Sequence, residues 1–327
     1  MSWPRASLHV VSGKGGTGKS TVAAALALAL ASDGQHVLLC EVEGRQGIAR
    51  LFGVEPLPYA EKKLGAGLDG ASARPGTVHA LHVDPESALL EHLREHYRLG
   101  RAARLLQRYG IVEFATTIAP GARDVLLTGK VFEAVVRETG RTYDTVVVDA
   151  PPTGRIVPFL AVNSEVSELA ESGPLREQVA QMAELFCSPR TQVHLVTLLE
   201  EMPVQETHEG IEQLRERGLH VGSVFMNQTR PRDLATADVT AALDGTLDRV
   251  PLEKDLQEVV PDASPALLAE FFHEVRDHAE RRALEDRLRT RVEGFGVPTY
   301  ELERLPHGID PGGLYDLATE LREQGIR

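Results

Sequence analysis

The chain has only two cysteines, Cys40 and Cys187, which lie far apart and outside any Cys-x-x-C motif. This excludes a disulfide framework and a local four-cysteine zinc site within one chain. The twelve histidines are scattered, and none belongs to a His-Glu-x-x-His motif. His92 and His96 share a helix face at positions i and i+4, and we interpret them as solvated side chains. Metal binding through cysteine or histidine is therefore not predicted.

Long hydrophobic runs are also absent, since no stretch approaches the ~20 apolar residues of a membrane span. The longest apolar run, Val22–Ala31, is rich in alanine and predicts a helix buried against a sheet. The few residues before the first predicted strand are too short for a signal peptide. We therefore expect the protein in the cytoplasm.

The chain lacks an excess of positive charge, with 48 acidic residues against 35 basic ones and a net charge of −13. This argues against a nucleic-acid partner, because such affinity comes from neutralising phosphates. One local exception is a row of arginines on one predicted helix face: Arg94, Arg98, Arg101, Arg104 and Arg108. It is either a solvated face that pairs with local acids or a docking strip for an acidic partner or anionic membrane.

Short β-branched runs alternate with helical patterns, which predicts an α/β fold with a mostly parallel, doubly wound sheet. The predicted strands are Leu8–Val11, His36–Cys40, Val78–Val83, Thr145–Val148, Val193–Thr197, Val221–Met226 and Thr299–Leu302. The predicted helices include Ser87–Tyr109, Ala122–Arg137, Leu175–Phe186 and Ser264–Val292. Segment Pro56–Pro75, rich in glycine, alanine and proline, is predicted to be loop or poorly ordered.

Helix Leu175–Phe186 carries a one-sided apolar stripe, which favours packing against neighbouring helices over a client-binding groove. The tail, Leu314–Arg327, is amphipathic at best and lacks the character of a membrane anchor.

The most informative segment follows the first strand and matches the phosphate-binding P-loop, G-x-x-x-x-G-K-[ST]. Its residues are Gly13, Lys14, Gly15, Gly16, Thr17, Gly18, Lys19, Ser20 and Thr21. Glycines let backbone N–H groups converge on a polyphosphate, and the N-terminus of the following helix favours negative charge. We predict that Lys19 reaches the β- and γ-phosphates of ATP, that Ser20 binds Mg²⁺, and that Thr21 donates to the α-phosphate.

Lys14 follows the first glycine of the loop, where an ordinary P-loop needs no lysine. One interpretation is a solvated loop residue. The other is a cation that reaches a nucleotide in a facing subunit, like an arginine finger, which contributes about 10³–10⁵-fold in turnover.

Two further strands end in polar residues. Asp149 follows Val146–Val148 and suits a Walker-B-like anchor for Mg²⁺, although such an aspartate also caps turns. Asn227 ends the Val221–Met226 strand and offers both a donor and an acceptor for an adenine edge. A strand-end asparagine is more often a turn former.

These motifs together resemble the ArsA family, which includes the arsenite-pump ATPase and the ATPase that targets tail-anchored membrane proteins. Gly13–Ser20 resembles its deviant Walker A with Lys14 as signature lysine, and Asp149–Gly154 resembles its switch II. Further matches are Asp84-Pro85-Glu86-Ser87-Ala88-Leu89, Pro120-Gly121, Glu206-Thr207 and Asn227-Gln228. The resemblance implies a dimeric P-loop ATPase forming one domain over residues 1–327, with helical subdomain inserts at about 86–138 and 160–190.

One departure from the family concerns switch I, where the family's aspartate positions the attacking water. Aligning the second strand and Phe52-Gly53 puts Glu43 at that place, which keeps the carboxylate but lengthens the side chain. Misplacing such a group by ~1 Å costs on the order of 10²-fold. The family's inter-subunit Cys-x-x-C zinc clamp is also missing.

The motifs and the resemblance lead to three alternative hypotheses about the function. The first is an ATPase that hydrolyses Mg·ATP in a dimer, in which Lys14 of each subunit completes the site of the other. Its hydrolysis is linked to ion transport or to the handling of a membrane-protein client. The second is a slow or non-hydrolysing ATP-binding subunit, paired with an ArsA-like paralogue and favoured by Glu43. The third is a MinD/ParA-type positioning ATPase, but the basic tail or surface that it needs is missing. Arsenite as cargo would need a thiol cluster, which two scattered cysteines do not supply.

Overall fold

The computed structural model describes residues 3–44, 46–68, 74–97, 122–137, 142–169, 174–232 and 234–327. Within them, eight strands form one sheet in the order β3-β4-β2-β5-β1-β6-β7-β8. All neighbouring pairs are parallel except β3 and β4, which are antiparallel. The strands are β1 Leu8–Gly13, β2 His36–Glu41, β3 Lys62–Ala66, β4 Thr77–His82, β5 Thr145–Asp149, β6 Thr191–Thr197, β7 Val221–Thr229 and β8 Thr299–Glu303.

Helices fill the connections between these strands. In chain order the described helices are α1 Lys19–Ser32, α2 Gly47–Leu51, α3 Pro85–Tyr97, α4 Ala122–Val136, α5 Thr153–Leu169, α6 Pro174–Phe186, α7 Glu201–Glu216, α8 Thr236–Asp244, α9 Arg249–Val259, α10 Pro265–Glu293 and α11 Pro311–Glu323.

The sheet is buried on both faces, which confirms the predicted doubly wound α/β fold. In β5, Val146 and Val148 join the core on one face and Val147 joins the core on the other. Because side chains alternate along a strand, a strand covered on both faces needs apolar residues at every position. The run Val146-Val147-Val148 therefore correctly predicted a strand that is buried on both faces of the sheet.

Helix α1 shows why one face closes tightly. Every residue from Val22 to Ser32 is buried, between the sheet and Leu314 and Leu317 of α11. Alanine and leucine have high helix propensity, and a helix that is apolar all round is stable only when it is covered on all sides. The tail that looked at best amphipathic is thus a helix that packs against α1.

The prediction of loop for Pro56–Pro75 is wrong over Lys62–Ala66, which forms the edge strand β3. The segment has a single large apolar residue, Leu64, and the register shifts between Lys63 and Gly65. An edge strand of this kind is stabilised by its pairing with β4, which lies outside the local pattern.

Other predictions can be followed along the helices. Val179, Met182 and Phe186 of the predicted apolar stripe are buried in the core, which confirms packing as their role. Helix α10 begins at Pro265, where Ser264 caps it by accepting a hydrogen bond from Leu267 N.

The structure does not describe the side chains of His92, Arg94 and His96, nor the other four arginines of the row or Pro120-Gly121. None of the described helices combines the length and apolar character needed to cross a bilayer.

Candidate functional site

The P-loop lies between the end of β1 at Gly13 and the start of α1 at Lys19. Gly16 and Gly18 have φ angles of 91° and 89°, a left-handed conformation that favours glycine. At Gly13, a Cβ atom would lie 2.3 Å from the backbone oxygen of Val196 in β6. The glycines thus meet two requirements, a positive φ in the loop and close packing against β6.

Asn227, near the end of β7, lies against this loop. Its Nδ2 donates a hydrogen bond of 2.8 Å to the backbone oxygen of Thr17. A Cβ at Gly18 would come within 2.3 Å of the same Nδ2 atom, so only glycine fits there. The structure gives Asn227 a contact with the P-loop backbone, and its part in reading adenine stays a prediction.

A cavity of about 390 Å³ opens at the N-terminus of α1, a size typical of small-molecule sites. Its lining residues are Gly16, Gly18, Lys19, Ser20, Thr21, Glu41, Glu43, Gly47, Arg50, Leu51, Asp149 and Ile309. The free N–H groups at a helix N-terminus and the helix dipole favour a bound anion. The cavity has the position and size that a nucleoside polyphosphate requires.

Asp149 is the most strongly perturbed acid in this cavity. Ser20 Oγ donates a hydrogen bond of 2.5 Å to Asp149 Oδ2. The pKa of Asp149 is raised from 3.8 to about 7, mainly by burial; Ser20 and Lys19 act against this rise, and Glu41 and Glu43 add to it. A carboxylate that is costly to ionise in the free protein is stabilised by a cation. A hydroxyl and a carboxylate in contact fit Mg²⁺, which uses one or two protein oxygens alongside substrate phosphates and water.

Among the residues described, no group of three or more His, Cys, Asp and Glu side chains is arranged to hold a metal ion. The oxygens of Ser20 and Asp149 alone do not form an all-protein cage. This donor set suits a metal that arrives with a phosphate ligand.

Glu41 is a residue of the site that the sequence analysis missed. It ends β2 beside Asp149 of β5, and it is 1% exposed. Its Oε1 accepts a hydrogen bond of 2.6 Å from Gly47 N, and its Oε2 lies 3.4 Å from His82 Nδ1. The one signal that the sequence offers for Glu41 is an acid at a strand end, like Asp149.

Glu43 is half-buried and lines the cavity, as its predicted role requires. It lies on the connection between β2 and α2, which is closed by the bond from Gly47 N to Glu41. Beyond it, the Gln46 side chain bonds both the N–H and the oxygen of Leu57, at 2.7 and 3.0 Å. These bonds hold the loop on which Glu43 stands.

Lys14 points to a different place. Its Nζ lies 2.6 Å from Glu206 Oε1 on α7, and the two side chains are 34% and 35% exposed. Its backbone oxygen accepts a hydrogen bond of 2.8 Å from Thr17 Oγ1. The cavity lining, within the described part of the chain, includes Lys19 but not Lys14.

The structure therefore brings most of the predicted site residues together at one cavity: Gly16, Gly18, Lys19, Ser20, Thr21, Glu43 and Asp149. Gly13 packs against β6, and Asn227 donates a hydrogen bond to the backbone oxygen of Thr17 in the loop. Lys14 lies apart, with its ammonium group on α7.

Comparison with known proteins is consistent with this geometry. A family model described as anion-transporting ATPase, ArsA type, matches residues 7–189. The chain is 47% identical to ATPase BagA of Mycobacterium tuberculosis over 334 residues, which span 100% of this chain and 97% of that one. It is 26% identical to an arsenical pump-driving ATPase of Acidiphilium multivorum over 93% of this chain and 52% of that one. It is 26% identical to ATPase GET3 of Lachancea thermotolerans over 67% of this chain and 70% of that one.

Proposed function

This chain belongs to the ArsA family of ATPases, and from that premise we propose that it binds Mg·ATP in the α1 cavity and hydrolyses it as a dimer. The observation that carries the proposal is the convergence of Lys19, Ser20 and Asp149 on one cavity, with Ser20 and Asp149 in direct contact. Lys19 and Ser20 follow β1 and Asp149 ends β5, so the parallel pairing of these two strands places a cation, a hydroxyl and a carboxylate at one edge of the sheet.

In this proposal the P-loop amides and Lys19 hold the β- and γ-phosphates, and Thr21 donates to the α-phosphate. Ser20 and Asp149 would hold Mg²⁺, which neutralises charge on the phosphates when bound. Glu43 orients the attacking water from the cavity wall. Glu41 and Gln46 accept backbone hydrogen bonds that hold the loop carrying Glu43.

Lys14 acts on the nucleotide of a second protomer. Its side chain is one-third exposed and lies at a surface that a partner can reach. A lysine that acts in trans should not contact the nucleotide of its own protomer, and Lys14 does not line the cavity of its own chain within the described residues. The partner is a second copy of this chain or an ArsA-like paralogue.

The cargo is proposed to be an ion or a membrane-protein client, the latter handled by the helical inserts at about 86–138 and 160–190, which lie partly outside the described residues. The ATPase is proposed to act in the cytoplasm. Arsenite is a poor fit. Burial raises the pKa of the Cys40 thiol to about 12, so this residue stays protonated, and Cys187 is exposed elsewhere. A soft oxyanion needs several thiolates in one place.

A second candidate is an ATP-operated switch with little turnover, and Glu43 favours it. The test compares wild type, Lys14→Ala, Lys19→Ala and Glu43→Asp in a phosphate-release assay and in sedimentation with and without Mg·ATP. We expect a nucleotide-dependent dimer, loss of ATP binding in Lys19→Ala, and loss of turnover with retained binding in Lys14→Ala. A wild type that turns over fully as a monomer contradicts the proposal. A large gain of turnover in Glu43→Asp favours the switch.

A further inference from the structure

The ion pair between Lys14 and Glu206 joins two elements that are far apart in the chain. Lys14 stands in the P-loop and Glu206 in the first half of α7, and their charged atoms are 2.6 Å apart. Both side chains are about one-third exposed, so the pair lies at the surface and not in the core. A surface pair of this kind is weak and exchanges readily for a stronger partner.

Helix α7 is fixed in place on several sides. Val204, Thr207, Ile211 and Leu214 are buried on its inner face. One turn after Glu206, a Cβ at Gly210 would lie 2.5 Å from Thr153 Cγ2, in the segment that resembles switch II. Near the start of α7, Glu201 lies 3.2 Å from Arg287 of α10. Glu206 therefore stands at a defined position between the P-loop and the segment after Asp149.

We propose that Glu206 is a positioning residue that holds Lys14 on its own protomer until the nucleotide of a second protomer competes for it. This inference rests on the proposed function, in which Lys14 acts in trans. One ammonium group held by Glu206 at 2.6 Å is not free to reach a facing polyphosphate, so assembly must break the pair.

The exchange is favourable only when nucleotide is present. A triphosphate carries more negative charge than one carboxylate, and an interface removes the solvent that screens the attraction. Without nucleotide, a dimer would break the ion pair in each protomer and gain no stronger partner for Lys14. Glu206 thus adds a cost to assembly that the attraction between Lys14 and a bound nucleotide must exceed.

Glu206→Gln removes the charge and keeps the size of the side chain. Exposed pairs contribute little, so releasing one pair changes an equilibrium by about 1.5- to 5-fold, and two pairs per dimer change it by about 2- to 30-fold. We expect the dimer dissociation constant of Glu206→Gln to fall by this factor. The kcat at saturating protein concentration should stay at the wild-type value.

The experiment is sedimentation equilibrium of the full chain with and without a non-hydrolysable ATP analogue and Mg²⁺. The matched control is Glu216→Gln, which removes the same charge from the exposed end of the same helix. Thermal melts of both variants check that the fold is intact. A double variant, Lys14→Gln with Glu206→Gln, should dimerise like Lys14→Gln alone, because Glu206 then has no lysine to hold.

The outcomes separate the two proposals. A wild type that dimerises with nucleotide, together with a Glu206→Gln variant of unchanged or weaker dimerisation, refutes the role of Glu206 alone. An equal effect of Glu216→Gln also refutes it, since the cause is then net charge. A wild type that stays monomeric with saturating nucleotide refutes the proposed function and this inference with it.

Discussion

Replacing Asp149 with asparagine should stabilise the free protein and abolish its response to Mg·ATP. Burial raises the pKa of Asp149 from 3.8 to about 7, so the native state keeps a proton that the unfolded chain loses near pH 4. The unfolded state binds fewer protons between pH 4 and pH 7, and the free energy of unfolding therefore falls as pH rises through this window. Asparagine has nearly the same shape and carries no charge, so it lacks this dependence.

The size of the effect follows from the pKa. One pKa unit corresponds to about 1.4 kcal/mol, so the ionised, buried Asp149 costs up to about 4 kcal/mol above pH 7 and about 2 kcal/mol at pH 5. The stability difference between Asp149→Asn and wild type should grow by roughly that change between pH 5 and pH 8. Measuring the difference removes the contribution of other titrating groups.

Denaturant unfolding at pH 5, 6, 7 and 8 gives the difference directly, first without ligand and then with Mg·ATP. We expect the variant to be the more stable protein without ligand at pH 8. With Mg·ATP the wild type should gain stability by mass action and the variant should gain much less, because Asp149 is a proposed ligand of the metal. A variant that is less stable than wild type without ligand at pH 8, or a difference that does not change with pH, refutes the reasoning.

Three more predictions concern the P-loop and the core beneath it. Gly18→Ala places a Cβ 2.3 Å from Asn227 Nδ2 at a φ of 89°, and it should lower the free energy of unfolding by about 2–3 kcal/mol in denaturant unfolding. The control is Gly15→Ala, which has open space around it and should change the free energy of unfolding by less than about 0.5 kcal/mol. Burial lowers the pKa of His9 to about 3, so native His9 resists protonation. As the pH falls from 7 to 5, the free energy of unfolding of the wild type should drop by about 2 kcal/mol relative to that of His9→Phe. A stability difference between the two proteins that stays constant with pH would contradict this. Asn227→Ala removes the bond to Thr17 and should weaken ATP binding in calorimetry; an equal loss for GTP would limit Asn227 to supporting the loop.

The P-loop could be predicted because everything that defines it is local. The strand ending at Gly13, the glycines with positive φ and the helix beginning at Lys19 follow one another within a few residues. Asp149 could also be predicted, because carboxyl ends of neighbouring parallel strands meet at one edge of the sheet and β5 pairs with β1.

The contacts of charged side chains between distant segments could not be predicted. Glu41 gives no periodic signal as an acid at the end of an apolar strand, and its contacts with Gly47 and His82 depend on how the chain folds. The same holds for β3, since Lys62–Ala66 reads as a strand only once β4 is known to lie beside it.

The sequence by itself determined the fold class, the glycine-rich loop between β1 and α1 and the strand-end aspartate, because hydrophobic periodicity and glycine conformation act over neighbouring residues. Only the tertiary structure decided that Lys14 meets Glu206, that Asn227 contacts the back of the P-loop, and that Glu41 holds the loop carrying Glu43. These contacts depend on how helices and strands pack around the cavity, and the energies of individual surface charges are too small to direct that packing.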